Sequence, residues 1–135
     1  MTLPIIVGIA LAIGLAVLAT SSGLDRDRAY YPVVLIVIAW YYVLFAVISG
    51  SMQALLLESI VMVAFTTVAL IGFRSNLWLA AVGIAAHGVF DAVHGRIIAN
   101  AGVPGWWPAF CGSIDVGIAL YAVWLLASAR RLARA

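Results

Sequence analysis

Residues 31–49 read YPVVLIVIAWYYVLFAVIS and include no charged side chain. A helix needs about 20 mainly apolar residues to cross the hydrocarbon core of a bilayer. Four further runs of similar length and character lie at residues 3–21, 53–73, 76–94 and 108–128. The sequence therefore predicts an all-α polytopic membrane protein, a bundle of five transmembrane helices that forms a single domain over residues 1–135.

The composition of the whole chain agrees with a membrane location. Hydrophobic residues make up 67% of it and charged residues 9%, whereas soluble domains carry roughly 25% charged residues. All of the basic residues are arginine, and the absence of lysine excludes a retinal Schiff base or a P-loop lysine. These arginines are few and lie at the edges of apolar runs, which argues against a nucleic-acid partner. The expected partner is the lipid bilayer, and a homo-oligomer is left open.

The arginines also predict an orientation. In a five-span bundle, the first loop, the third loop and the C-terminus lie on the same side. That side holds every arginine except Arg96, namely Arg26, Arg28, Arg74, Arg130, Arg131 and Arg134. Because positive residues remain inside the cell, the C-terminus is predicted to be cytoplasmic and the N-terminus outside, in the cell membrane. The first run lacks a basic leading segment, so it is interpreted as a retained span and not as a signal peptide.

Ionisable side chains within the predicted spans all fall in the outer half of the bundle. On the fourth span His87, Asp91 and His94 lie at positions i, i+4 and i+7, which share one helical face within an arc of about 60°. On the fifth span Cys111 and Asp115 are likewise i and i+4. The acidic residues and histidines within the spans are Glu58, His87, Asp91, His94 and Asp115.

Imidazoles combined with carboxylates are typical ligands of Zn, Fe, Mn or Cu. A charged Asp at the bilayer centre costs about 2.5–3.5 kcal/mol, and a divalent cation would offset two carboxylates while accepting two neutral imidazoles. The sequence therefore predicts a divalent metal site. The predicted ligands are His87, Asp91, His94 and Asp115. Glu58 is predicted to be a further ligand or the general base acting on metal-bound water.

The segment at residues 95–108 lies above this predicted site. Arg96 is predicted to bind an anionic headgroup, while Cys111, Trp106 and Trp107 are predicted to contact the substrate or to support the ligands. Simpler interpretations remain open: an interfacial loop anchored by tryptophan, a small packing cysteine, and a structural ion pair between Asp91 and Arg96. The Tyr41–Tyr42 pair is interpreted as packing.

These residues lead to three functional predictions. The first, and the favoured one, is a membrane-embedded metal-binding protein, a metal-dependent enzyme that acts on a lipid or apolar substrate from the outer leaflet. The second is a proton- or cation-coupled carrier or channel subunit that uses the same cluster, although the inner half offers only hydroxyls such as Thr66 and Thr67 for a through-pathway. The third is an accessory membrane subunit in which the polar cluster only specifies helix packing.

The last third of the chain carries a pattern that resembles a group of small bacterial integral-membrane proteins. The pattern consists of His87, Gly88, Asp91 and His94, followed by Trp106, Trp107, Pro108, Phe110, Cys111 and Asp115. The resemblance implies a bacterial membrane protein and no known activity.

Overall fold

A computed structural model describes residues 2–132 of the chain and the side chains of residues 2–129. Within this range the chain forms five α-helices and no β-strand, as predicted. The helices are α1 (Thr2–Ser22), α2 (Tyr30–Ser49), α3 (Met52–Arg74), α4 (Leu77–Ile97) and α5 (Trp107–Leu132), with a single 3-10 turn at Leu24–Arg26 after α1. Arg134, which contributes to the predicted arginine excess, lies outside the described residues, as do the side chains of Arg130 and Arg131.

All five helices are long and apolar enough to cross a membrane, so the predicted number of spans is confirmed. The helix α4 continues to Ile97, three residues beyond the approximate end predicted for the fourth span. Its last turn remains helical, and the N–H of Ile98 donates to the carbonyl of His94 at 2.9 Å. Arg96 therefore lies on α4, and the connection to α5 is limited to residues 98–106. The end of the bundle that carries this connection is called the loop end below.

The other connections are short and follow the local sequence. Gly50 ends α2 in the left-handed conformation, with φ of +68°, which glycine adopts at low cost. The hydroxyl of Ser51 then accepts from the N–H of Ala54 at 3.2 Å to cap α3. Asn76 caps α4 in the same manner by accepting from the N–H of Trp78 at 3.1 Å.

The helices pack in the order α1, α5, α4, α3, α2, and α2 also contacts α4. Two glycines allow α4 and α5 to approach closely. A Cβ atom built on Gly88 would lie 3.2 Å from the carbonyl oxygen of Gly112 and 3.2 Å from Cβ of Asp115. This contact fixes the α4–α5 register at the level of the ionisable side chains.

The interior of the bundle has two layers. Toward the end opposite the loop end it is apolar, built around Leu35, Ile84 and the small residues Ala80 and Ala122. Toward the loop end it holds the buried ionisable side chains. The outer faces of the helices expose many leucines, isoleucines and valines, as expected of surfaces that contact lipid.

Candidate functional site

The ionisable side chains come from three helices that all begin or end at the loop end. α3 and α5 start there, and α4 finishes there. At a rise of 1.5 Å per residue, every one of these side chains lies within roughly 15 Å of that end. All are at most 2% exposed, and they are Glu58, His87, Asp91, His94 and Asp115.

Four side chains on α4 and α5 form one compact group. His87, Asp91, Cys111 and Asp115 offer ligand atoms that all lie within 4.8 Å of one another. The Nδ1 atom of His87 lies 2.7 Å from Oδ2 of Asp115 and 3.8 Å from Oδ1 of Asp91. Each helix contributes a pair spaced i and i+4, and such a pair shares one face. We call these four residues the cluster.

Several polar atoms of the cluster have no hydrogen-bond partner among the described residues. They are Nε2 of His87, Oδ2 of Asp91 and Oδ1 of Asp115, and all three are buried. Buried polar atoms in proteins are normally partnered, because leaving one unpaired costs about 1–3 kcal/mol. Three such atoms in one group, beside a buried thiol, could bind a cation. One nitrogen, one sulfur and two carboxylates form a donor set that suits zinc or iron.

The predicted ligand His94 does not belong to the cluster. It follows His87 by seven residues and therefore lies about 10.5 Å further along the helix axis. Its Nε2 atom instead lies 2.7 Å from Oε1 of Glu58. That same oxygen accepts a hydrogen bond of 2.9 Å from Nδ2 of Asn100. The structure thus brings together three of the four predicted ligands, adds Cys111, and places Glu58 and His94 in a second site.

Tyr42 packs in the interior of the bundle, and it also connects the two sites. Its hydroxyl donates to Oδ1 of Asp91 at 2.6 Å. Its ring stacks on that of His94, with centroids 4.0 Å apart. Its carbonyl accepts from Asn100 at 3.1 Å. Counting residues from the C-terminal ends of α2 and α4 places Tyr42 at about the same depth as Asp91. The sequence alone therefore indicated that the two residues could meet.

The remaining predicted residues surround the cluster. Arg96 is exposed and lines a cavity of about 480 Å³ that also reaches Asp91, but no ion pair joins these two residues in the described part of the chain. Trp106 is 50% exposed. Trp107 packs on Phe45 of α2, with ring centroids 4.9 Å apart.

Two further spaces approach the sites from different directions. An apolar groove of about 500 Å³ runs between α2 and α5, from Tyr30 to Trp107, and reaches Cys111 and Asp115. A cavity of about 530 Å³ lies beneath the 98–106 connection and is lined by His94 and Asn100 among others. We call these spaces the lateral groove and the loop cavity.

The fold and the two sites define an all-helical membrane protein with a buried cluster of histidine, aspartate and cysteine. Comparison with protein-family profiles, with curated protein sequences and with solved structures finds no match to this chain.

Proposed function

We propose that this protein binds a divalent metal ion within the membrane, and that His87, Asp91, Cys111 and Asp115 are its ligands. The observation that carries the proposal is the set of three unpartnered, buried polar atoms in a group whose ligand atoms all lie within 4.8 Å. An ionised aspartate costs about 2.5–3.5 kcal/mol at the bilayer centre, so two uncompensated carboxylates buried within the spans are unfavourable. A divalent cation offsets both charges, and no arginine among the described side chains pairs with either carboxylate, whose basic neighbour is His87.

Zinc or iron(II) is the proposed occupant. The thiolate of Cys111 favours these metals over Mn²⁺, which prefers oxygen ligands, and the imidazole of His87 suits both. When bound, such an ion would polarise a carbonyl or phosphoryl oxygen as a Lewis acid. Tyr42 would orient Asp91 through its 2.6 Å hydrogen bond, as outer groups commonly do for metal ligands.

We further propose a metal-dependent enzyme that acts on a lipid or other apolar substrate. The lateral groove supports this substrate class, because it is lined by apolar side chains of α2 and α5 and leads to two of the proposed ligands. Its volume of about 500 Å³ falls within the usual range for small-molecule sites. Arg96 lines the other cavity that reaches the cluster, where its guanidinium could hold an anionic headgroup.

The proposed orientation places the loop end at the outer surface of a bacterial inner membrane. The excess of arginine on the opposite side of the bundle supports it. A fluorescent protein fused to the C-terminus should then fold and fluoresce in the cytoplasm. If the fluorescent fusion does not fluoresce and an alkaline phosphatase fused to the C-terminus is active in the periplasm, the orientation is the reverse of the one proposed.

A second candidate function is proton- or cation-coupled transport. The observation that favours it is Tyr42, because this single residue contacts the cluster through Asp91 and the second site through His94. A relay would use both histidine–carboxylate pairs. Flux in liposomes that disappears in both His87→Ala and His94→Ala would support transport, whereas an absence of flux from metal-loaded protein would favour the enzyme.

The ligand assignment is tested by the metal content of two matched variants. Each variant alters one carboxylate of a histidine–carboxylate pair: Asp115→Asn in the cluster and Glu58→Gln in the second site. Protein purified without chelators or a histidine tag should lose most of its metal in Asp115→Asn and keep it in Glu58→Gln. Circular dichroism checks that both variants remain folded. Full retention in Asp115→Asn, or an equal loss in both variants, would contradict the assignment.

A further inference from the structure

The second site has a defined pattern of donors and acceptors. The Oδ1 atom of Asn100 accepts from the N–H of Gly102 at 3.2 Å, and this fixes the orientation of the amide. Nδ2 of Asn100 is therefore the atom that donates to Oε1 of Glu58 at 2.9 Å. An ionised carboxylate only accepts hydrogen bonds, so with Glu58 ionised the proton shared with His94 belongs to Nε2 of the imidazole.

The other nitrogen of His94 consequently carries a lone pair. This atom, Nδ1, has no hydrogen-bond partner among the described side chains and backbone groups. His94 lines the loop cavity together with Pro104 and Pro108. Its ring is held between Tyr42, stacked at 4.0 Å, and Phe90, edge-on at 5.4 Å. The imidazole is thus fixed in one orientation beside a space large enough for a small ligand.

We infer that His94 is a proton acceptor for a hydroxyl-bearing ligand, either water or an alcohol, in the loop cavity, and that Glu58 is its positioning residue. The lone pair of Nδ1 takes the proton of the O–H group, and the O–H bonding pair stays on the oxygen. The carboxylate of Glu58 stabilises the imidazolium that forms, while Nε2–H keeps its hydrogen bond to Oε1. Neither the proton transfer to Nδ1 nor the stabilisation of the imidazolium by Glu58 involves a metal, so the inference does not rest on the proposed function.

This assignment changes the role that the sequence predicts for Glu58. Oε1 of Glu58 already accepts from both His94 and Asn100, and Glu58 is not among the residues that line the loop cavity. Glu58 therefore lies behind the imidazole, and His94 is the residue that faces the ligand. His87 provides an internal comparison. It also pairs with a carboxylate, but its Nε2 atom is buried, and it lines none of the cavities described above.

Acylation by diethyl pyrocarbonate tests the inference, because the lone pair of a neutral imidazole nitrogen attacks a carbonyl carbon of this reagent and displaces ethyl carbonate. The protein has only two histidines, so untagged protein in detergent micelles gives two separate rates by peptide mass spectrometry. His94 should react and His87 should not. Glu58→Gln should slow the reaction of His94 by about 3- to 10-fold, because a charge-assisted hydrogen bond is replaced by a neutral one. Asp115→Asn should leave the rate at His94 unchanged.

Two results would overturn the inference. One is a His94 that resists acylation in the folded protein and reacts only after denaturation. The other is a folded Glu58→Gln variant in which His94 reacts at the wild-type rate or faster. If Glu58→Gln does not fold, Glu58→Asp gives the same test, because the shorter side chain withdraws the carboxylate from Nε2 of His94 and should also slow the reaction. If the protein binds no metal but His94 and His87 are acylated at the expected rates, the proposed metal-binding function is contradicted and the inference about His94 is not.

Discussion

The hydroxyl of Tyr42 donates a 2.6 Å hydrogen bond to Oδ1 of Asp91 across the interface between α2 and α4. The tyrosine is 2% exposed, and its ring also stacks on His94. One side chain therefore orients a proposed metal ligand and holds the proposed proton acceptor. The two contacts use different parts of the residue, so they can be separated by mutation.

Replacing Tyr42 by Phe removes the hydroxyl and keeps the ring. We expect the affinity for metal to fall by about 10- to 100-fold, as is usual when an outer hydrogen bond to a ligand is lost. Acylation of His94 should not change, because the stacked ring remains. Competition with a chromophoric chelator measures the affinity. Wild-type affinity in this variant would show that Tyr42 does not support the metal site.

Replacing Gly88 by Ala should force α4 and α5 apart. The new Cβ would lie 3.2 Å from both the Gly112 carbonyl and Cβ of Asp115, which is closer than such atoms normally approach. We expect a loss of about 1–3 kcal/mol in unfolding free energy together with weaker metal binding.

Gly95→Ala is the matched control on the same helix, because nothing lies within 4 Å of a Cβ atom there. It should be neutral or stabilising by up to about 1 kcal/mol, as expected when alanine replaces glycine within a helix. Reversible unfolding in mixed micelles measures both variants. Equal stability of the two would contradict the close α4–α5 contact.

Cys111 gives a spectroscopic test of the donor set. X-ray absorption of the zinc-loaded protein should show one sulfur neighbour at about 2.3 Å, with nitrogen and oxygen neighbours at about 2.0–2.2 Å. Cys111→Ser should remove the sulfur shell and leave the lighter neighbours. A spectrum without sulfur in the wild-type protein would exclude Cys111 from the ligands.

Much of the fold could be predicted from composition and hydropathy. Five apolar runs specify five helices because no other backbone arrangement of such segments satisfies its hydrogen bonds in lipid. The sequence predicts an earlier end for α4, because the apolar run stops at His94, whereas Gly95 and Arg96 continue the helix to Ile97. Only the backbone hydrogen bond from Ile98 to His94 shows that the last turn is helical.

The sequence predicts which site residues share a face of one helix, but it does not predict which faces of different helices meet. Helical periodicity places His87 and Asp91 on one face, and Cys111 and Asp115 on another. It does not reveal that these two faces meet, because the α4–α5 register depends on the contact between Gly88 and Gly112. The pairing of His94 with Glu58 requires the packing of α3 on α4, which no local pattern specifies.

The metal content of the wild-type protein tests the central claim most directly. Untagged protein, purified in detergent without chelators and exposed to zinc or iron(II) under reducing conditions, should retain about one ion per chain through gel filtration. Elemental analysis that finds only trace metal in this folded protein, with either ion supplied, would contradict the account.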